Sequence, residues 1–220
     1  MPTFTVTKEL GGTAKPVGAL YVPPELQVLD AGEDTALAQS GLCAGVVADL
    51  LSACLAHERC GVHLYRSVAG RSGDLTLRER YEVYGAETEE HVQILEELVA
   101  RSGGDPHYVS PAARATEKAG AGLIESTYLL GGSIDLATQE LTMLEAVMLA
   151  EAKDHANWEL LAQLAARMSA GAIRDAFTEA SAEVLAEEVQ HYGWARDTRA
   201  QLLLAQATGT TAANAKGRSE

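Results

Sequence analysis

Acidic and imidazole side chains occupy positions in this chain where a helix would bury them. One apolar stripe runs through positions 47, 51, 54, 58, 62 and 65, and position 58 is glutamate. A second runs through 144, 147 or 148, 151, 155 and 158, and carries Glu151 and His155. A third runs through 177, 181, 184, 188, 191 and 195, and carries the E-x-x-H pair Glu188 and His191. A fourth runs through 77, 81, 84, 88, 91 and 95, with His91 at one place and Thr88 at another. A carboxylate in an apolar core costs several kcal/mol unless it is paired or neutralised. None of these positions holds Lys or Arg. Two divalent metal ions would supply the missing positive charge, and oxygen-rich ligands with a few imidazoles suit iron or manganese.

The stripes define the elements that must position these groups. Apolar residues three and four apart share a helix face. The spacing predicts four long helices, over about Asp34–Gly70, Leu75–Arg101, Ile134–Met168 and Ala172–Leu204. GRSGD breaks the first from the second, and Ser169–Gly171 separates the third from the fourth. Between the hairpins lies a long connection, about Asp105–Asp135, with a short helix expected near Ala121–Leu130 and a break at Gly131–Gly132. Two antiparallel hairpins joined this way predict an all-α four-helix bundle with one long crossover. The prolines and glycines of residues 1–34 predict an extended N-terminal arm, and the small polar residues from Ala207 a flexible tail. The bundle itself is expected to span residues 35–206.

Composition agrees with that architecture and excludes several functions. The chain has 220 residues, 47% of them hydrophobic and only 5% aromatic. Its formal charge of -14 repels phosphate backbones and anionic lipid, so neither nucleic acid nor a membrane surface is an expected partner. No segment approaches the roughly 20 apolar residues of a membrane span. MPTFTVTKEL has no basic segment followed by an apolar run, and the three cysteines form no disulfide framework, so the expected location is the cytoplasm. No nucleotide-binding glycine pattern, G-x-S-x-G elbow or Cys-x-x-Cys is present.

The stretches LAHERCGVHLYR, ETEEHVQILEEL, LAEAKDHANWELL and LAEEVQHYGWARD give the chain a more specific likeness. Over about residues 40–204 it resembles the ferritin-like superfamily, and within it small bacterial helical-bundle proteins. The resemblance implies a dinuclear iron or manganese centre with Glu58, His91, Glu151, Glu188 and His191 as ligands. That family places an E-x-x-H pair on the second helix too, but Thr88 stands where its glutamate would be. Glu87, at the edge of the buried face, is the nearest substitute. If Glu87 does not bind, the site is asymmetric, mononuclear or empty. His155, one turn beyond Glu151, reads either as a compensating ligand or as a core histidine.

Three functions follow as expectations. The first is a di-metal oxidoreductase of the ferroxidase or peroxidase type, acting on dioxygen or peroxide. The second is a metal-binding or iron-storage protein. The third is a metal-free helical scaffold with a degenerate site. Tyr65 and Trp158 each lie seven residues after a proposed ligand, on the same face, as hydrogen-bond donors, electron relays or plain core residues. His57 and His63 flank the first seam and read as surface or hydrogen-bonded residues. Long amphipathic helices and the arm make a homodimer the assembly to test.

Overall fold

Asp74, Ser110 and Asp135 each stand where a helix begins, and each turns its side chain back onto free backbone N–H groups of the first turn. Asp74 accepts from Thr76 and Leu77, Ser110 from Ala113, and Asp135 from Thr138. Pro111 follows Ser110 at the start of its helix, where a missing N–H costs nothing. The computed structural model describes residues 36–129 and 134–209. Over these it is all-helical: α1 (Ala44–Arg71), α2 (Leu75–Arg101), α3 (Pro111–Ser126), α4 (Leu136–Ala165) and α5 (Ala172–Ala207). Among the described residues there is no strand, and no helix is long and apolar enough to cross a membrane.

α1 packs against α2 and α4, and α5 packs against the same two helices. The four therefore close into a ring, with α3 outside it against α1 and α4. Contacts across the ring run in opposite chain directions. On the α1–α4 seam Glu58 meets Trp158 and Tyr65 meets Glu151. On the α2–α5 seam Glu87 meets His191 and His91 meets Glu187. Ring neighbours are thus antiparallel, and the segment carrying α3 returns the chain along the bundle.

The interior has three layers. Leu51, Leu95, Trp158, Leu161, Phe177 and Val184 belong to an apolar cluster at one end. Tyr65, Val68, Tyr81, Leu144, Val147 and Ala195 belong to another at the opposite end. Each large side chain buried there contributes about 1.5–3 kcal/mol relative to exposure. Between them lies a polar layer, described below. Glu140 pins the α4 end of the second cluster. It accepts from Ser72 Oγ and from the backbone N–H groups of Gly73 and Asp74, tying the α1–α2 turn to the start of α4.

Some boundaries differ from the spacing-based expectation. The first helix begins at Ala44 rather than Asp34. Residues 38–40 form a single 3-10 turn closed by Gly41 at φ 80°, a left-handed conformation that glycine adopts without strain. The crossover helix is Pro111–Ser126 and not Ala121–Leu130. Only Ala113, Thr116 and Gly120 of it are buried, so it carries no large apolar stripe to announce it. The third long helix ends at Ala165, and the fourth continues to Ala207. The expected N-terminal arm, the Gly131–Gly132 break and the tail past Gly209 lie outside the described residues.

Candidate metal centre

Helical period brings five of the expected site residues to one level of the ring. Glu58 comes from α1, His91 from α2, Glu151 from α4, and Glu188 with His191 from α5. All five are buried. They form two triads that share one residue: Glu58, His91 and Glu188 in one, and Glu151, His191 and Glu188 in the other. Within each triad, one potential ligand atom per residue lies within 4.8 Å of the others. Glu188 Oε1 is 3.2 Å from His91 Nδ1 and 3.5 Å from His191 Nδ1. Glu58 Oε1 lies 3.7 Å from His91 Nδ1, and Glu151 Oε2 lies 3.5 Å from His191 Nδ1.

The outer atoms of the cluster are held by partners that cross between helices. The Trp158 indole donates to Glu58 Oε1 at 2.7 Å. The Tyr65 hydroxyl donates to Glu151 Oε1 at 2.9 Å. His91 Nε2 lies 2.9 Å from Glu187, and His191 Nε2 lies 2.7 Å from Glu87. With Nε2–H donated outward to a carboxylate, the neutral ring leaves its Nδ1 lone pair facing inward. The Tyr84 ring centroid sits 4.0 Å from that of His191 and covers it.

What remains inside makes no hydrogen bond and is left with the longer carboxylate–imidazole contacts given above. Glu58 Oε2, His91 Nδ1, Glu151 Oε2, Asp154 Oδ1, Glu188 Oε2 and His191 Nδ1 are all buried without a hydrogen bond. Orphaned buried polar atoms are rare, and five of these six belong to the two triads, which calls for a bound species or bound protons. Oxygen and imidazole donors converging without a basic side chain fit a divalent cation.

Electrostatics describes the same cluster without an ion. Burial disfavours charge on His91, yet the facing carboxylates of Glu188 and Glu58 outweigh it and raise the pKa to about 11. His191 behaves alike: Glu151 and Glu188 overcome burial and raise it to about 10. Burial pushes Glu188 upward, but the two imidazoles prevail and hold it near 2. Burial and the neighbouring Glu188 leave Glu151 raised to about 7, against the pull of His191. Burial, followed by the charges of Glu58, Glu188 and Glu151, drives Asp154 well above the usual carboxylate range.

Two of the expected site residues stand elsewhere. Glu87 is not among the inward donors. It lies on the outer side of His191, as that ring's hydrogen-bond acceptor. His155 lies outside the cluster, with Nε2 3.4 Å from Glu159 and its ring stacked on Tyr192. The seam turns Asp154 inward instead, because 151, 154, 158 fits the helical period as well as 151, 155, 158. Thr88 is buried, with its hydroxyl donating to the Tyr84 carbonyl. His57 is buried, and its Nε2 lies 2.9 Å from the Ala150 carbonyl. Sequence reasoning missed Asp154 and Glu187. The signal for Glu187 was present: it precedes His191 by four residues, as Glu87 precedes His91.

No family model matches the chain, and no curated protein matches it. The functional reading therefore rests on the site.

Proposed function

We propose that the protein is a ferritin-like metal protein that binds two ions of iron or manganese and acts as an oxidoreductase on dioxygen or peroxide. The observation that carries this reading is the sharing of Glu188 by two buried triads, each with its own glutamate and its own imidazole. A carboxylate has two oxygens, so one glutamate can serve two adjacent ions. The ring of α1, α2, α4 and α5 with a long α2–α4 connection supports the ferritin-like part of the proposal.

The chain's own residues have defined tasks in this reading. Glu58 with His91 would hold one ion, and Glu151 with His191 the other, with Glu188 between them. When bound, such a pair supplies two adjacent one-electron redox centres, suited to a two-electron reduction of dioxygen or peroxide. Trp158 and Tyr65 hold Glu58 Oε1 and Glu151 Oε1, and the second oxygen of each carboxylate is left without a hydrogen bond. Glu187 and Glu87 set the orientation and basicity of the imidazoles. The apolar layers on either side keep bulk water out.

One observation favours a second reading. Protonated His91 and His191 pair with ionised Glu188, so the cluster can also stand without metal as a buried charge network. Metal analysis of protein grown with iron and with manganese separates the two. The proposal expects about two ions per chain, lost in Glu188→Ala plus His191→Ala. Less than about half an ion per chain, unchanged in that double variant, refutes it in favour of the metal-free network.

A further inference from the structure

The two helical hairpins repeat each other's polar residues. Glu58 and Tyr65 on α1 match Glu151 and Trp158 on α4, and each aromatic serves the carboxylate of the opposite helix. Glu87 and His91 on α2 match Glu187 and His191 on α5, and each outer carboxylate serves the opposite imidazole. The centre is thus built around an approximate two-fold axis. The same matching pairs Thr88 with Glu188 and Gly61 with Asp154. At these two positions the symmetry breaks.

The break is coherent. The half that lacks a carboxylate at 88 is closed by small groups: a Cβ added at Gly61 would lie 3.2 Å from the Thr88 methyl and near nothing else. The other half holds two acids. Asp154 lies between Glu151 and Trp158, both of which hydrogen-bond side chains of α1. Its side chain is 5% exposed, and Oδ1 has no partner. It stands one helical turn from Glu151 on the buried face of α4, where the charges of Glu58, Glu188 and Glu151 all reach it.

We infer that Asp154 is a metal ligand that replaces the carboxylate missing at position 88, entering from the α1–α4 seam while Glu188 enters from α5. This deepens the dinuclear reading and rests on it. Glu58, Glu151 and Glu188 alone leave two divalent ions under-neutralised in a buried site. Asp154 supplies the fourth negative charge, and with neutral imidazoles the centre balances. The loss at 88 and the gain at 154 are then one exchange, and the site is asymmetric in its ligands but complete in its charge.

The test is Mn2+ binding to the full chain under anaerobic conditions, with metal counted after dialysis and affinity measured by titration calorimetry. Wild type is expected to take two ions. Asp154→Asn is expected to lose one, or to bind it about tenfold more weakly or worse, since removal of mere outer partners already costs that much. The same variant should melt no lower than wild type without metal, because Asn has nearly the same shape and the carboxyl it replaces has no partner at Oδ1. Two ions at wild-type affinity in Asp154→Asn overturn the inference and leave the dinuclear reading intact. No ion in wild type overturns the reading beneath it. A crystal structure of wild type with Mn2+ decides independently of how the variant folds: an Asp154 oxygen bound to Mn2+ supports the assignment, and both oxygens outside the coordination sphere refute it.

Discussion

Tyr65 lies two turns beyond Glu58 on α1, yet its hydroxyl donates to Glu151 on the facing helix at 2.9 Å. Trp158 returns the arrangement from α4 to Glu58 at 2.7 Å. The two carboxylates are therefore aimed by the helices opposite them, and the α1–α4 seam carries the site's geometry as well as its packing.

Removing one of these donors leaves a buried carboxylate oxygen without its partner. Tyr65→Phe and Trp158→Phe should each cost about 1–3 kcal/mol in the metal-free protein, the range for a buried acceptor left unsatisfied. Urea denaturation measures it. Unchanged midpoints in both variants would show that the carboxylates reorient freely.

The outer glutamates should act across the bundle. Glu187→Gln should weaken the ion held by Glu58 and His91, and Glu87→Gln the ion held by Glu151 and His191. Both side chains are partly exposed, at 41% and 35%, so the effect should sit near the lower end of the usual range, about tenfold in affinity. Paramagnetic line broadening on the two histidines, followed during Mn2+ titration, identifies which ion leaves first. Equal loss of both ions in each variant would deny the crossed pairing.

Metal binding should strengthen with pH. In the metal-free chain His91 and His191 are raised to about 11 and about 10, so ligation must displace their protons at neutral pH. Raised imidazole pKa values stabilise the metal-free fold fully below about 6.5 and lose that contribution as pH rises through 10 and 11. Glu151, raised to about 7, also makes that fold less stable as pH rises from about 4.5 to 7. Glu188, lowered to about 2, contributes above about 4.5 and is lost only as pH falls toward 2. The rise in melting temperature on adding Mn2+ should thus widen between pH 6 and pH 8.5, as assayed by thermal scans. A constant rise across that interval would contradict proton displacement.

α3 is seated through Gly120. A Cβ there would lie 2.6 Å from Cys60 Sγ and 2.7 Å from Cys60 Cβ, closer than real contacts allow. Gly120→Ala should cost about 1–3 kcal/mol by overpacking the α1–α3 contact. Equilibrium unfolding tests it, and the metal count should not change, because α3 contributes no inward donor.

Much of this protein was written in local pattern. Four amphipathic segments, their short turns and the acids and imidazoles in their stripes follow from helical period, which depends only on residues within a few turns. That is why Glu58, His91, Glu151, Glu188 and His191 were legible at once, and why the expectation of about Leu75–Arg101, set off by the GRSGD break, coincides with α2. α3 was partly missed because it packs through Ala113, Thr116 and Gly120, whose fit depends on α1 rather than on any stripe of their own. Helical period alone equally permits Asp154 or His155 inward. Only the packing of α4 within the bundle decided between them, burying the aspartate and leaving the histidine at the edge beside Glu159. Likewise Glu87 sits one helix away from the imidazole it orients, because hydrogen bonds across a bundle join residues about a hundred positions apart, a distance that no local spacing can read.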